Sequence, residues 1–310
     1  MDQDRSAEQV GFHRPVLVEE VVELLTPVVP GVVVDATFGG GGHTRRMLDE
    51  FGEDVSVIGI DRDPEAVANA TGLGATVVQG DFADIADIVA GVTDDQVSGV
   101  LFDFGVSSHQ LDQARRGFSY RHDGPLDMRM GPDAPFDAHT IVNEWPEDRL
   151  ARIIREYGEE PLARRIAAAI VAARPIESTA TLSTVIANAM PAARRRAGHP
   201  ARRTFQAIRI AVNTELDSVD AGVSQALDMI RTGGRVVAIS YHSLEDRIVK
   251  RLFAERAKGC TCPPDLPVCG CGNTAEVRLL TRKPVRAGEE EVAANRRARS
   301  AVLRAVEKVA

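Results

Sequence analysis

Apolar positions along the first hundred residues follow two alternating patterns. Residues 16–25 repeat at helical spacing, and a β-branched run over 32–34 then stands between Gly31 and Asp35. The alternation recurs. Residues 55–60 form a second apolar run ended by Asp61, and 64–70 resume a helical period behind it. Residues 75–78 predict a third strand, followed by Gly80, Asp81 and Phe82 and a helix over 85–89; residues 97–102 predict a fourth, ended by Asp103. Short, nearly continuous hydrophobic strands separated by helices indicate a parallel sheet covered on both faces. With right-handed crossovers, the strand C-termini and their aspartates share one edge.

The alternation stops after Asp103. Residues 105–145 are rich in Gly, Pro and Asp with little periodicity, a kind of stretch usually functional or disordered inside a compact protein. Helices are predicted over 148–157, 162–173 and 182–190, broken by Pro161, Pro175 and Pro191. A long helical segment from Thr204 leads to Gly233-Gly234, then a fifth strand over 235–240 and a helix over 244–258. Residues 277–280 and 301–306 would complete the sheet, the latter reading equally well as a terminal helix. The predicted fold class is α/β, a mainly parallel, doubly wound sheet with a helical insertion. Its parts are residues 12–109, the insertion at 110–212, and residues 213–310.

Composition narrows the function classes. With 310 residues, 44% hydrophobic and 26% charged, the chain can bury a core, which excludes wholesale disorder. No apolar run approaches the roughly 18 residues of a membrane span. Residues 1–9 are polar and acid-leaning, without the order of a secretory signal. A cytoplasmic protein away from membranes is therefore expected, and four cysteines fit a reducing compartment. The net charge of −8 argues against a polyanionic partner only until it is divided. Residues 1–150 carry 28 acidic and 10 basic side chains (−18), and residues 151–310 carry 17 and 27 (+10). Such asymmetry hints at a polyanion-binding surface, though an arginine-rich solvated helix face explains the count equally well.

The densest local signal is Asp35-Ala-Thr-Phe-Gly-Gly-Gly-Gly-His43 at the end of the first strand. Glycines at a strand-to-helix turn let a ligand approach the backbone and the unpaired N–H groups of the helix. Asp61 stands 22 residues after Gly39, where an acid holds ribose hydroxyls. A dinucleotide site would want Gly-x-Gly-x-x-Gly, but here the sixth position is Thr44. Four acids along the edge would also repel a pyrophosphate. They suit the sulfonium and amino-acid end of S-adenosylmethionine, with Phe82 as an apolar face for adenine. An NAD-dependent dehydrogenase remains a competing reading.

Longer motifs then become recognisable: Thr37-Phe-Gly-Gly-Gly-Gly-His43, Asp61-Arg-Asp-Pro64, Asp103-Phe-Gly-Val-Ser-Ser108 with Gln110-Leu-Asp112, and Arg116-Gly-Phe-Ser119. Asp123-Gly-Pro-Leu-Asp-Met-Arg-Met130, Thr204-Phe-Gln-Ala-Ile-Arg209 and Ser240-Tyr-His-Ser-Leu-Glu-Asp-Arg-Ile-Val-Lys250 follow. From His13 to about Arg304 the chain resembles the RsmH (MraW) family of bacterial small-subunit rRNA cytosine-N4 methyltransferases. The resemblance implies a class I S-adenosylmethionine-dependent methyltransferase fold with a helical insertion. It implies S-adenosylmethionine as cofactor and a cytidine in the decoding region of 16S rRNA, within the small ribosomal subunit, as substrate; a non-catalytic ribosome-assembly factor is the competing reading on that side. Carried onto this chain, the family's cofactor contacts fall on Gly41, Gly42, His43, Asp61, Phe82, Asp103 and Gln110.

The chemistry asks for more than a cofactor site. Cytosine's exocyclic amine is a poor nucleophile, so acceptors must hold its hydrogens while the methyl lies in line at roughly 3–3.5 Å. Asp103 or a carbonyl of 103–108 is the candidate acceptor. The Asp/Asn-Pro-Pro-aromatic loop of other amine methyltransferases is here Asp103-Phe-Gly-Val106, so a stacking aromatic must come from Tyr241, Phe118 or Tyr120. His242 has the intrinsic pKa of a base but could equally cap the helix starting near Leu244. Arg194, Arg195, Arg196, Arg202, Arg203 and Arg209, with Arg247, Lys250 and Arg251, form a basic stretch suited to RNA. All four cysteines fall in two Cys-x-Cys pairs, Cys260/Cys262 and Cys269/Cys271. Four thiolates could hold zinc, but the spacing is tighter than the usual two to four residues, which tilts toward plain thiols. The sequence leaves open whether the chain forms a homodimer.

Overall fold

The computed structural model describes residues 15–192, 198–259, 262 and 270–310. Seven strands form one sheet, ordered β3-β2-β1-β4-β5-β7-β6. Strands β1 (Gly31–Asp35), β2 (Val55–Asp61), β3 (Thr76–Gln79), β4 (Val97–Asp103) and β5 (Arg235–Ser240) pair in parallel. Strand β7 (Val302–Lys308) runs antiparallel between β5 and the edge strand β6 (Val277–Leu279). This is a mainly parallel, doubly wound α/β sheet, as the sequence pattern predicts. The ambiguity over residues 301–306 resolves as strand. β7 is enclosed between two neighbours and buries Val302, Leu303, Ala305 and Val306, so neither face shows the alternation of a half-exposed strand.

Both faces of the sheet are covered. Helices α1 (Val18–Leu25) and α2 (Gly42–Phe51) bring Val21, Leu25 and Met47 against Val33, Leu101 and Val237. On the other face α4 (Ile85–Ala90), α11 (Glu215–Met229) and α12 (Ser243–Arg256) pack Ile85, Val223 and Phe253 on Val34, Val100 and Phe102. Alternate residues of each central strand therefore bury on opposite sides, which is why the strands read as continuous apolar runs. Helix α3 (Pro64–Ala68) follows β2. A third core lies in the segment between β4 and β5. It is built by α6 (Ala138–Glu144), α7 (Glu147–Glu156), α8 (Ala163–Ala172), α9 (Thr179–Ala189) and α10 (Arg202–Asn213), around Ile141, Ile154, Ile170, Leu182 and Phe205. Among the described residues no helix is long and apolar enough to cross a membrane.

Two features depart from the sequence pattern. The Gly/Pro/Asp-rich stretch holds α5 (Ser108–Asp112) and a chain that crosses itself in backbone contact. A Cβ on Gly117 would lie 2.1 Å from the Pro125 carbonyl oxygen, and one on Gly124 would lie 1.9 Å from that of Ala114. Glycine is the residue those crossings admit. The expected helix from Thr204 onward is two helices, split at Thr214, whose φ of 51° is left-handed. The buried Asn213 secures the break. Its amide donates to the carbonyls of Met128 (2.7 Å) and Arg209 (2.9 Å), and its oxygen accepts from the Met130 N–H (2.8 Å).

Candidate functional site

The parallel strands deliver Asp35, Asp61 and Asp103 to one edge, and the turn from β1 to α2 crosses it. Backbone N–H groups of Phe38 and Gly39 donate to the Ile60 carbonyl (2.9 Å) and to Asp61 Oδ2 (2.7 Å). Asp61 Oδ1 accepts from the Asp63 N–H at 2.8 Å. The Asp61 carboxylate thus holds the glycine turn against the end of β2. Gly41, at φ 69°, is the N-cap of α2 and offers no capping side chain, so the first N–H groups of the helix remain available to an anion. A Cβ at Gly41 would approach Phe38 Cζ to 2.7 Å and Leu73 Cδ2 to 3.1 Å. Gly41→Ala is therefore expected to cost about 2–3 kcal/mol, from left-handed backbone strain and overpacking. Thermal denaturation checks this, and titration calorimetry should show weakened binding of the nucleotide cofactor.

Behind the turn lies a buried polar cluster. Asp35 Oδ2 accepts from the Thr44 hydroxyl at 2.7 Å, while Asp35 Oδ1 and both His43 ring nitrogens are buried without a hydrogen-bond partner. His43 Nε2 lies 3.5 Å from Asp103 Oδ2, an ion-pair distance too long for a well-formed hydrogen bond. Asp103 Oδ1 accepts from the Tyr241 hydroxyl at 2.8 Å, and its backbone N–H donates to Thr37 Oγ1 at 2.6 Å. Burial raises the pKa of Asp35, partly offset by His43 and Thr44. Burial opposes charging of His43, but Asp103 and Asp35 outweigh it, so its pKa is raised. Tyr241 is raised well above its ordinary value by burial and by Asp103. Unpartnered buried polar atoms are costly and ask for an explanation. Here a ligand end carrying both ammonium and carboxylate would satisfy the orphaned acid, the imidazole and the helix N–H groups together.

The other expected contacts flank this centre. Phe82 is half-buried, edge-on to Phe102 (5.7 Å between ring centroids) and near Phe104 (5.8 Å). It borders a narrow cleft with Thr37, Phe104, Gly105, Met130 and Ser218. Gln110, on α5, is buried with its carboxamide engaged, donating to Asp63 Oδ2 (2.9 Å) and accepting from the Ser107 N–H (3.2 Å). Arg116 reaches the same Asp63 oxygen at 2.7 Å. Gln110 thereby ties α5 to the loop after Asp61. Of the three aromatic candidates, Phe118 is buried in the insertion core and Tyr120 stacks on His199 at 4.2 Å. Tyr241 is the one beside Asp103, and a Cβ on Gly105 would touch its ring at 3.7 Å.

His242 is the N-cap of α12. Its Nδ1 accepts from the Glu245 N–H at 3.4 Å, and Nε2 lies 3.0 Å from Glu245 Oε1. Burial would raise Glu245, but His242 and Arg209 outweigh it and lower its pKa. Nδ1 is engaged in the cap, while the buried Nε2 faces the Glu245 carboxylate without a hydrogen bond. Arg209, expected on a basic face, is instead mostly buried and pairs with Glu215 through two 2.8 Å bonds. Glu215, His242 and Glu245 converge within 4.8 Å in a geometry that could hold a metal ion, but Arg209 already supplies the positive charge there.

Among the expected RNA contacts, Arg202 and Lys250 are exposed. Arg203 and Arg247 are exposed as well, but each lies in an ion pair, with Glu160 (3.7 Å) and Glu159 (3.0 Å) respectively. Arg251 is paired with Asp220 and Glu255. Arg194, Arg195 and Arg196 lie outside the described residues, as do Cys260 and Cys269; Cys262 is half-buried and Cys271 exposed. Sequence reasoning passed over the Tyr241–Asp103 bond, although Tyr241 directly follows a strand end. It also passed over Thr37 and Asn213, whose roles no local pattern announces.

Comparison with known proteins is consistent along the chain. Residues 11–309 match the model of the MraW methylase family. A Heliobacterium modesticaldum protein named Ribosomal RNA small subunit methyltransferase H is 50% identical over 312 residues, covering 97% of this chain and 99% of that one. Proteins of the same name are 52% identical over 307 residues in Symbiobacterium thermophilum (96% of each chain) and in Geobacter sulfurreducens (96% of this chain, 99% of that one).

Proposed function

The chain belongs to the MraW methylase family, and on that premise we propose that it methylates the exocyclic N4 amine of a cytidine in the decoding region of 16S rRNA. S-adenosylmethionine, when bound, would supply a methyl group on a cationic sulfur, open to attack by that amine, with the carbon–sulfur bond's electron pair left on a neutral thioether. The observation that carries the reading is Asp103, set at the end of β4 between the Tyr241 hydroxyl and His43 and next to the glycine turn. Gly41, Gly42, His43 and Asp35 would hold the amino-acid end of the cofactor, Asp61 the ribose, and Phe82 the adenine. Segment 110–212 is read as the substrate-recognition unit.

This chain's residues then have distinct tasks. Asp103 accepts a hydrogen of the incoming amine, which steers the nitrogen lone pair toward the methyl. As the fourth bond to nitrogen forms, the amine turns acidic, and the Asp103 carboxylate takes its proton before releasing it to water. Tyr241 donates to Oδ1 and keeps the carboxylate in that orientation. His242 has no free lone pair for the proton while it accepts from Glu245 N–H and faces the Glu245 carboxylate, so its task here is to cap α12.

Burial pushes the Asp61 carboxyl up to about 6, offset only in part by the N–H groups of Asp63 and Gly39. Below that pH the group takes a proton and loses acceptor capacity toward ribose hydroxyls. Cofactor affinity should accordingly be flat above pH about 7 and fall by up to about tenfold per pH unit below 6. Titration calorimetry from pH 5 to 8 checks this; Asp61→Asn should flatten the profile and bind weakly throughout.

The function is tested by transfer of labelled methyl to small subunits that lack the modification, alongside naked rRNA and large subunits. Label in N4-methylcytidine of small-subunit RNA is expected. Absence of incorporation by the folded, cofactor-bound protein would overturn the assignment.

A further inference from the structure

The residues just before β7 belong to none of the long motifs, yet they border the site. Ser240 pairs with Val302, so the chain leading into β7 lies at the edge where β4 ends in Asp103 and β5 leads into Tyr241. Val285 bridges Leu303 and brings the 282–286 stretch to the same end of the strand. Helix α13 (Glu289–Ala294) follows, and Glu291 accepts from the Leu17 N–H at 2.8 Å while lying close enough to His43 to raise its pKa. Arg297, half-buried, lies 3.7 Å from Asp112 of α5 and interacts electrostatically with Tyr241. Segment 285–300 is thus a wall of the site, reaching its cofactor side through Glu291 and its substrate side through Arg297.

That wall is basic. Residues 282–299 contain six arginines and lysines against three glutamates, all three in the first turn of α13, where the helix dipole balances part of their charge. Arg286, Arg296 and Arg299 are exposed, and no acidic side chain among the described residues pairs with them. This distinguishes them from Arg203, Arg247 and Arg251, whose charge is already taken by Glu160, Glu159, Asp220 and Glu255. Guanidinium groups left unpaired at the mouth of a site are suited to phosphate, which they bind with forked hydrogen bonds.

We propose that Arg286, Arg296 and Arg299 form a phosphate-binding rim that holds the RNA backbone flanking the target nucleotide. The rim rests on the rRNA-methylating reading, and it puts RNA binding on the C-terminal segment as well as on the insertion. Phosphate contacts position a substrate without reading its sequence, so the rim sets affinity and register and leaves base choice to the site itself.

The test is the triple variant Arg286→Gln, Arg296→Gln, Arg299→Gln, with Arg278→Gln as control, since Arg278 is paired with Glu307 away from this edge. Methyl transfer to unmodified small subunits is measured across a salt series. The triple variant should raise KM about tenfold or more, with kcat and the cofactor Kd unchanged. The slope of log affinity against log salt should fall by about 2, because each phosphate that the protein neutralises adds roughly 0.7–0.9 to it. The corresponding triple lysine variant should recover most of that slope. An unchanged KM and slope would overturn the rim. So would a weaker KM with an unchanged slope, which would point to a protein neighbour on the subunit. If the wild-type chain itself neither binds nor methylates small subunits, the failure lies with the functional reading instead.

Discussion

Replacing Asp103 with asparagine is expected to lower the rate of methyl transfer by about 10²–10⁴-fold, the range of a lost general base. Asparagine keeps the shape but removes the charge and one strong acceptor. The Tyr241 hydroxyl, now donating to Oδ1 at 2.8 Å, would meet either an amide oxygen or an amide N–H, and His43 would lose the anionic neighbour that raises its pKa most. His43 should therefore become easier to deprotonate. Because Asp103 also faces the cofactor side of the cluster, Kd for S-adenosylmethionine should rise as well. Single-turnover rates at saturating cofactor separate the two effects. Tyr241→Phe is the graded companion. It leaves the carboxylate and removes one hydrogen bond to a charged group, so about a tenfold loss in kcat with little change in cofactor Kd is expected. An Asp103→Asn variant within a few-fold of wild type would remove Asp103 from the chemistry.

The largest effect on stability is expected at Glu215. Its carboxylate meets the Arg209 guanidinium through two 2.8 Å bonds, and both side chains are mostly buried, at 9% and 16% exposure. Glu215→Ala would strand the arginine charge in a site with little water. Breaking a buried pair from one side costs about 3–5 kcal/mol, which for a chain of this size lowers Tm on the order of 10 °C. Pairing Glu215→Leu with Arg209→Met should recover most of the loss, since two apolar groups of similar volume leave no charge uncompensated. Differential scanning calorimetry of the single and double variants measures the coupling. A double variant no better than the single one would show that packing, not charge, holds this junction.

These two sites differ in how far the chain alone reveals them. Asp103 was legible because a strand-end aspartate interrupts an apolar run, and such interruptions recur at Asp35 and Asp61 with a glycine turn between them. Arg209 was misleading. In sequence it continues the run of Arg202 and Arg203, and only the left-handed break at Thr214 turns it back toward Glu215. The same break was hidden because Asn213, besides its bond to the Arg209 carbonyl in its own helix, is held by Met128 and Met130, more than eighty residues away.

The amino-acid sequence by itself determined the strand–helix alternation, the acidic strand ends, the glycine turn and, through its long motifs, the family. These are periodic or contiguous signals, and each reflects interactions between residues close in the chain. Tertiary structure alone decided which charges are free. Whether an arginine faces RNA or is spent on a glutamate depends on partners brought together by packing, as Arg209, Arg203 and Arg247 show. It also decided that the segment before β7 reaches the site at all, because an antiparallel strand returns the chain to the edge where the parallel strands end. Pattern records burial and backbone period; it carries no register between distant strands, and the rim of the site depends on that register.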